Sequence, residues 1–421
     1  MNQHPHEQPT AEQGLRWAND LPPEILSIIA AKSGSAAHYV TLRRVCKRWH
    51  QSLSMPPFLP LPSRQVPFLL VPPHGSDPPA PCPIGYAFPL PFSAPSQTAF
   101  FPLPQLQETL GCICVGSSHG WLISLSRDSA LSLINPVTAD SIHLPHLSSM
   151  DNTVLSFDKD SFPEYRLGNG ICVSWFSIVH RAVLSSHPVQ DPGFTVLLFL
   201  SGLTECCFTW RNTCTRWHQH LHMPFLVEDV VFLNGAFAAI DLSTNLAIFD
   251  FRNLKTVLMI TLQPLLEVMP KEAFLVESAG DLLLVLKWVN YGHSMIHRGA
   301  IKVFLIFSLE NLDGVVELGA IEIGPLKNCV LFVGHGSSFC VKVDRFPWLA
   351  ADTVYFTHFY TLPGKDGEVV HHGGVYKFTV SSKAPSRAFA VGTPWYFALW
   401  SWLKFYWVTP NLNSLNSLNP R

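Results

Sequence analysis

The chain has 421 residues, of which 48% are hydrophobic and 14% are charged. This length and apolar content allow a large buried core, which excludes an intrinsically disordered scaffold. The formal net charge is −2, so the chain lacks the excess of Lys and Arg that non-specific nucleic-acid binding requires, and we expect no nucleic-acid partner.

The N-terminal sequence MNQHPHEQPTAEQG, residues 1–14, predicts a flexible start without the basic and apolar segments of a secretory signal. No apolar run reaches the roughly 18 residues that a membrane-spanning helix requires. The 10 cysteines of a chain without such a signal are expected to be reduced thiols. The sequence therefore predicts a cytoplasmic or nuclear protein with no membrane span.

Residues 15–55 have the pattern of a small helical unit. Asp20 can cap a helix whose first turn contains Pro22 and Pro23 and whose apolar residues begin at Ile25. A second helix is predicted in LRRVCKRWHQSL, residues 42–53, where apolar residues fall at helical spacing and basic residues fill the other face. About 40 residues rarely fold alone. The apolar face of this second helix must pack against another surface. That surface is the chain's own core, a membrane, a nucleic acid or a partner protein, and the helix alone does not distinguish them.

Residues 56–104 contain many of the 35 prolines of the chain, which excludes long helices there. Such a segment is either a Pro-rich ligand for small recognition domains or an extended strap on the next domain. Phe and Leu residues lie between the prolines and favour burial, so we predict a strap or linker.

Residues 105–412 alternate short apolar runs with Gly, Asn and Asp turns, the pattern of an all-β domain. In VVFLNGAFAAIDLSTNLAIFDF, residues 230–251, strands 230–233, 236–240 and 246–251 are predicted around an Asn234-Gly235 turn. Units of this kind without helices between them predict a β-propeller or a large sandwich, and we choose the propeller. At roughly 40–50 residues per blade, the region accommodates about six to eight blades.

The aromatic segment PWYFALWSWLKFYWV, residues 394–408, is short for a membrane span and contains Lys404. Burial in the β domain is therefore favoured over a membrane contact. Propeller rings often close by pairing the terminal strand with a blade begun earlier in the chain, and KFYWVTPNL, residues 404–412, is predicted to be that strand. Residues 413–421 are predicted to be a flexible tail.

Motifs for catalysis and metal binding are sparse. GSSHG, residues 116–120, fits a Gly-x-Ser-x-Gly elbow around Ser118, but strand-type residues follow it and favour a plain hairpin. Cys112 with Cys114, and Cys206 with Cys207, lack the spacing of a zinc site. No catalytic residue, cofactor or metal is therefore expected.

Two further sets of polar and aromatic residues each have two interpretations. His371 and His372 could be ligands or acid and base groups, but ordinary histidines at a loop or strand end are favoured. Trp210 and Trp217, in TWRNTCTRWHQH, could line a binding surface, but packing within a blade is favoured.

The segment LPPEILSIIAAKSGSAAHYVTLRRVCKRWHQSL, residues 21–53, resembles an F-box. Its Leu-Pro-x-Glu-Ile-Leu start and Val-Cys-Lys-x-Trp helix carry the resemblance. The remaining chain resembles plant F-box proteins with a C-terminal propeller-like domain of unknown function, on the strings VPFLLVPP, GSSHGWLISL, VVFLNGAFAAID, VLFVGHGSSFCV, FPWLAADTVYFT and WVTPNL.

This resemblance implies an α+β multidomain protein with a small helical F-box, residues 15–55, followed by a β-propeller. It also implies a non-catalytic subunit of a Skp-cullin-F-box ubiquitin ligase, in which the F-box binds the Skp-type adaptor, and through it a cullin, while the propeller recruits an unidentified protein target. The implied adaptor-binding residues are Leu21, Pro22, Ile25, Leu26, Val45, Cys46 and Trp49. The alternative is a propeller that reads peptides or sugars outside a ligase.

Overall fold

The computed structural model describes residues 21–32, 42–43, 45–53, 68–71, 86–89, 101–102, 112–136, 138, 140–150, 155–158, 164–202, 206–221, 225–250, 256–262, 269–288, 301–310, 316–345, 349–363, 369–380, 384–391 and 406–408. Two helices come first, α1 Pro23–Lys32 and α2 Lys47–Ser52. Most of the other described residues lie in strands.

The strands follow one another with short turns. In chain order they are β1 Phe68–Val71, β2 Tyr86–Pro89, β3 Phe101–Pro102, β4 Cys112–Ser118, β5 Trp121–Ser126, β6 Leu131–Ile134, β7 Ser141–Leu144, β8 Leu155–Asp158, β9 Glu164–Leu167, β10 Cys172–Ser174, β11 Val179–Leu184, β12 Thr195–Leu200, β13 Cys206–Arg211, β14 His218–Leu221, β15 Asp229–Leu233, β16 Ala236–Ile240, β17 Asn245–Asp250, β18 Thr256–Thr261, β19 Glu272–Ser278, β20 Asp281–Lys287, β21 Ile301–Glu310, β22 Val316–Glu322, β23 Cys329–Val333, β24 Phe339–Lys342, β25 Thr353–Pro363, β26 Val369–Thr379, β27 Ala384–Val391 and β28 Tyr406–Val408.

These strands form seven sheets within the described residues. Sheet I has the order β28-β1-β2-β3, sheet II β4-β5-β6-β7 and sheet III β10-β9-β8. Sheets IV, V and VI are four-stranded meanders of β11 to β14, β15 to β18 and β19 to β22, and sheet VII has the order β24-β23-β25-β26-β27. Pairing is antiparallel except for β23 with β25. Local hairpins therefore build almost every sheet.

Six of the sheets, all except sheet III, meet through the strands at their inner edges. Strand β28 lies against β4, β4 against β11, β11 against β15, β15 against β19, and β19 against β24. Hydrophobic clusters fill the spaces between neighbouring sheets, with Phe237 buried between sheets IV and V and Phe274 between sheets VI and VII. This arrangement confirms that the protein is mostly β and has a propeller architecture.

The number of blades differs from the predicted six to eight. Five of the sheets, namely I, II, IV, V and VI, have the four strands of a standard blade. The prediction divided the chain length evenly among blades. That assumption is wrong because β8, β9 and β10 form the short three-stranded sheet III, and because sheet VII has five strands, two of which, β25 and β26, have 11 residues each.

Sheet V shows why the sequence forms hairpins. Strands β15 and β16 are joined by Asn234 and Gly235, with φ angles of 50° and 80°, and Leu233 pairs with Ala236. A two-residue turn with positive φ at both positions suits the twist of antiparallel strands, and Asn-Gly is the preferred sequence for it. The predicted hairpin is confirmed.

Replacing Gly235 with valine is expected to destabilise the propeller by about 1 kcal/mol or more, because a β-branched residue must adopt the left-handed conformation there. Among the described residues, no atom beyond the glycine and its two chain neighbours lies within 4 Å of a Cβ built at Gly235, so backbone strain is the cause. Thermal unfolding should begin roughly 2 °C lower or more. Gly324→Val is the matched control, because that site also has open space but no positive φ. Equal melting temperatures for the two variants would contradict the turn assignment.

Sheet I joins the two ends of the β region. Phe68 pairs with Val408, Leu69 with Trp407 and Leu70 with Tyr406. The expected closure by the terminal strand is therefore confirmed for 406–408, whereas the preceding aromatic residues of 394–405 lie outside the described residues. Strands β1, β2 and β3 fall within residues 56–104, where the sequence predicts a strap, and there they complete this sheet.

Candidate functional site

Helices α1 and α2 pack against each other through a small apolar cluster. Leu26, Ala30, Trp49 and Leu53 are buried in it, and Leu21, Leu42 and Cys46 lie partly buried around them. The indole of Trp49 is only 3% exposed. One face of α1 is therefore covered by the chain's own residues.

The opposite face of α1 is apolar and exposed. Ile25, Ile28 and Ile29 are 44%, 51% and 39% exposed, and their spacing places them on the same side of the helix. Val45, just before α2, is also exposed. Large aliphatic side chains concentrated on one helix face in this way are typical of a protein-binding surface. We call Ile25, Ile28, Ile29 and Val45 the isoleucine face.

The structure divides the predicted adaptor-binding residues into two groups. Pro22, Ile25 and Val45 are exposed, whereas Leu26 and Trp49 are buried in the helical cluster. Leu21 and Cys46 are intermediate and contact that cluster. The sequence analysis did not select Ile28 and Ile29, although they lie three and four residues after Ile25 and share its face.

Charged side chains surround the helical pair. Lys47 and Arg48 in the first turn of α2 are exposed, and the Nη2 atom of Arg43 lies 3.2 Å from Nε2 of His50. Glu24 is in the first turn of α1, where its charge suits the positive end of the helix dipole. An apolar face beside a basic edge favours a partner with an apolar groove and acidic surroundings.

A second polar feature lies where the inner strands meet. The Arg181 side chain on β11 donates from Nε to the Glu228 carbonyl at 2.6 Å and from Nη1 to the His335 carbonyl at 2.5 Å. The Asp229 carboxylate on β15 accepts the N–H of Leu275 on β19 at 2.9 Å. Arg181, Asp229, Leu275 and His335, which we call the central hub, therefore connect sheets IV, V, VI and VII.

The loop between β23 and β24 also reaches sheet II. The Ser337 N–H donates to the Ser117 carbonyl at 2.9 Å, and the Ser337 hydroxyl donates to the same carbonyl. Beside Ser117, a Cβ on Gly116 would lie 2.5 Å from the Ala182 carbonyl oxygen, so only glycine permits β4 to approach β11 this closely. The hydrogen bonds of Ser337 therefore connect sheet VII to sheet II.

The two members of the hub's ion pair are almost completely buried. Arg181 and Asp229 are each 4% exposed in their side chains, and Nε lies 3.9 Å from Oδ1. Burial raises the pKa of Asp229 to about 6, although Arg181 and the backbone N–H groups of Leu275 and Val230 act in the opposite direction. The hub therefore contains a buried ion pair between strands β11 and β15.

The candidate nucleophile at Ser118 is in a hairpin rather than a strand-to-helix elbow. His119 and Gly120 form the two-residue turn with positive φ angles, and Ser118 pairs with Trp121. The Ser118 hydroxyl contacts the Leu184 carbonyl at 3.5 Å. The hairpin interpretation is confirmed, and an elbow is wrong for this site because a strand follows the turn.

The cysteine and histidine motifs also lie in strands. Cys112 and Cys114 are in β4, where burial raises their pKa values to about 11 and about 12, so neither forms a thiolate readily at neutral pH. Cys206 and Cys207 begin β13, and His371 and His372 lie in β26 paired with Thr361 and Tyr360. Within the described ranges, no three His, Cys, Asp or Glu side chains are placed as a metal site requires.

Trp210 and Trp217 are structural. Both are buried in the cluster that joins sheets II, III and IV. Their indole N–H groups donate to the Cys214 and Pro145 carbonyls at 2.9 and 3.0 Å. The interpretation as blade packing is confirmed.

Among the helices in the described part of the chain, none has the length and apolarity to cross a membrane.

Comparison with known proteins gives relatives over most of the chain. It is similar to F-box protein SKIP23 of Arabidopsis thaliana, with 24% identity over 373 residues that cover 81% of this chain and 83% of that protein. Solved structures with some likeness include the N-terminal domain of Nup159 (12% identity, 70% and 69% of the chains, TM-score 0.30) and dihydro-heme d1 dehydrogenase NirN in complex with DHE (11%, 81% and 76%, TM-score 0.33).

The family model described as KIB1-4 beta-propeller matches residues 88–377, well over half of the chain. The match begins in β2 and ends in β26, so it includes the central hub and both partners of the Ser117 contact. Together with the similarity to SKIP23, it confirms the predicted resemblance to plant F-box proteins with a propeller domain. The chain belongs to the KIB1-4 beta-propeller family.

Proposed function

We propose that this protein is the substrate-recognition subunit of a Skp-cullin-F-box ubiquitin ligase. Helices α1 and α2 act as an F-box that binds the Skp-type adaptor and, through it, a cullin. The propeller recruits a protein target and has no catalytic role. The observation that carries the proposal is the isoleucine face, which is exposed on a helix whose other face is already packed.

The size of the helical pair supports a partner for this face. Among the described residues, its cluster contains four buried side chains, which is a small core for a helical unit. Burying three isoleucines of α1 in an apolar groove would add roughly 1.5–3 kcal/mol for each side chain that becomes fully covered. Amphipathic helices commonly bind partner proteins in this way.

The two groups of predicted residues take different roles in this proposal. Pro22, Ile25, Ile28, Ile29 and Val45 contact the adaptor directly, since their side chains are available. Leu26 and Trp49 hold the two helices together and present that surface. Similarity to a protein whose name includes F-box supports the assignment.

The proposed location is the cytoplasm, the nucleus or both. The cysteines that the structure describes in detail are free thiols. Two of them, Cys207 and Cys329, are buried in strands, as expected of a protein in a reducing compartment.

Replacing Ile28 with glutamate is expected to weaken adaptor binding about thirtyfold or more, because a charge would enter the centre of the apolar contact. Isothermal titration of the full chain with a purified Skp-type adaptor measures this effect. Ile171→Glu is the matched control, since Ile171 is 49% exposed in the β region and Ile28 is 51% exposed. Equal affinities for both variants would contradict the proposed surface.

A further inference from the structure

Two histidines lie on the same face of strand β14, the outermost strand of sheet IV. His218 and His220 are two residues apart, and alternate residues of a strand point to the same side. His218 is exposed and His220 is partly buried. Strand β14 pairs with β13 on one side, and among the described residues no strand pairs with its other edge. Both imidazoles are therefore available to a solute at the rim of the propeller.

A hydroxyl group on the neighbouring strand orients one of these rings. Thr209 on β13 pairs with His218 in the register of the two strands, and its Oγ1 atom lies 2.7 Å from Nε2 of His220. Thr209 is itself buried. In the tautomer in which Nε2–H donates to this hydroxyl, the Nδ1 atom of His220 keeps its lone pair. Metal-binding histidines almost always donate their second ring N–H to an oxygen or water in this way, which fixes the tautomer and the orientation of the ring.

We propose that His218 and His220 bind a divalent metal ion of the class that prefers imidazole ligands, such as Zn²⁺. His220 binds through Nδ1, because its Nε2 donates a hydrogen to Thr209. His218 supplies the second imidazole nitrogen, and water completes the coordination. Thr209 does not touch the metal and is a positioning residue. The sequence analysis did not select either histidine for this role.

The site is built for an exchangeable ion. Permanent zinc centres use three or four protein ligands, whereas the described part of this site supplies two. Burial and the neighbouring His218 and Arg211 lower the pKa of His220, so its ring is neutral near pH 7 and loses no proton when the metal binds. The positive charge of Arg211 also opposes a metal ion, which limits the affinity.

Isothermal titration of the full chain with ZnCl₂ near pH 7.5 tests the pair. His220→Ala should weaken binding by more than the tenfold that loss of an outer partner of a metal ligand typically causes. His143→Ala is the matched control, because His143 lies in the outermost strand of sheet II and its Nδ1 is 3.3 Å from the Ser132 hydroxyl, yet the residues two positions away are not histidines. Equal affinities for the two variants would mean an adventitious ion only and would overturn the proposal.

The role of Thr209 separates an oriented site from two histidines that are neighbours by chance. Thr209→Val keeps the shape of the side chain but has no hydroxyl, so Zn²⁺ affinity should fall about tenfold or more, and Thr209→Ser should restore most of it. Valine and unmodified chains that bind Zn²⁺ equally well would contradict this role.

A spectroscopic measurement on the unmodified chain does not depend on how the variants fold. Nitrogen-15 spectra of the imidazoles should show the Nε2–H tautomer for His220, and Zn²⁺ should shift the ring signals of both His218 and His220. Spectra of the alanine variants assign these signals. If Zn²⁺ leaves both rings unchanged, or if His220 carries its hydrogen on Nδ1, the proposal is wrong.

Discussion

Replacing Arg181 with methionine is expected to lower the free energy of unfolding of the propeller by about 3–5 kcal/mol. Methionine has a similar length but no donors, so the Glu228 and His335 carbonyls would lose their partners and Asp229 would lose its nearest cation. Each unsatisfied buried group adds a cost. Denaturant unfolding of the full chain, followed by circular dichroism, measures the change.

The exposed pair of Lys302 and Glu322 provides the control for Arg181. These side chains lie 3.2 Å apart but are each 37% exposed, and such pairs contribute about 0–1 kcal/mol. Lys302→Met should therefore have little effect. Adding Asp229→Asn to Arg181→Met should recover part of the lost stability, because the uncompensated carboxylate is removed. If Arg181→Met and Lys302→Met unfold at the same denaturant concentration, the hub does not hold the sheets together.

Replacing Trp49 with alanine is expected to separate α1 from α2, because removing a buried Trp from a core typically costs about 3–5 kcal/mol. Trp49 is the largest of the four buried side chains described in the helical cluster. Adaptor binding should be lost as a consequence of unfolding. Hydrogen exchange of the α1 amides measures this directly, and protection between Pro23 and Lys32 should disappear.

Ile28→Glu separates this structural role from direct contact. It should weaken adaptor binding while leaving the protection of α1 unchanged, because Ile28 is half exposed and is not part of the buried helical cluster. Trp49→Ala could instead lose adaptor binding while the α1 amides stay protected from hydrogen exchange. That result would mean that Trp49 contacts the adaptor itself. The assignment of the isoleucine face would then need revision.

The local parts of the fold were predictable where turn chemistry and strand pattern agree. The meander at 230–251 was predicted within one residue at each strand end, because Asn234-Gly235 fixes both the turn and the register. The terminal strand was predictable from its β-type residues and its Thr-Pro end. The number of blades was not predictable, since length alone does not reveal that β8, β9 and β10 form the separate sheet III.

The composition of the candidate site was only partly predictable. Helix α1 contains apolar residues on more than one face, so periodicity does not tell which face packs on α2 and which stays exposed. Leu26 and Ile25 are neighbours in the sequence, yet Leu26 is 1% exposed and Ile25 is 44% exposed. The choice depends on where Trp49 packs, which is a tertiary contact.

The central hub had no signal in the sequence. Arg181 and His335 are 154 residues apart, and Ser117 and Ser337 are 220 residues apart. Each residue alone has the appearance of an ordinary strand or turn position. Their contacts follow from closing the ring, which brings distant inner strands to the same place.

Affinity purification of the full chain from plant cells, with and without a proteasome inhibitor, tests the proposed ligase function most directly. Mass spectrometry should find a Skp-type adaptor and a cullin with the unmodified chain and with Ile171→Glu, but not with Ile28→Glu. Proteins bound to the propeller should be retained by all three chains and should increase when the proteasome is inhibited. The same bound proteins without an adaptor or cullin in any sample would contradict the ligase assignment and favour a propeller that reads peptides or sugars on its own.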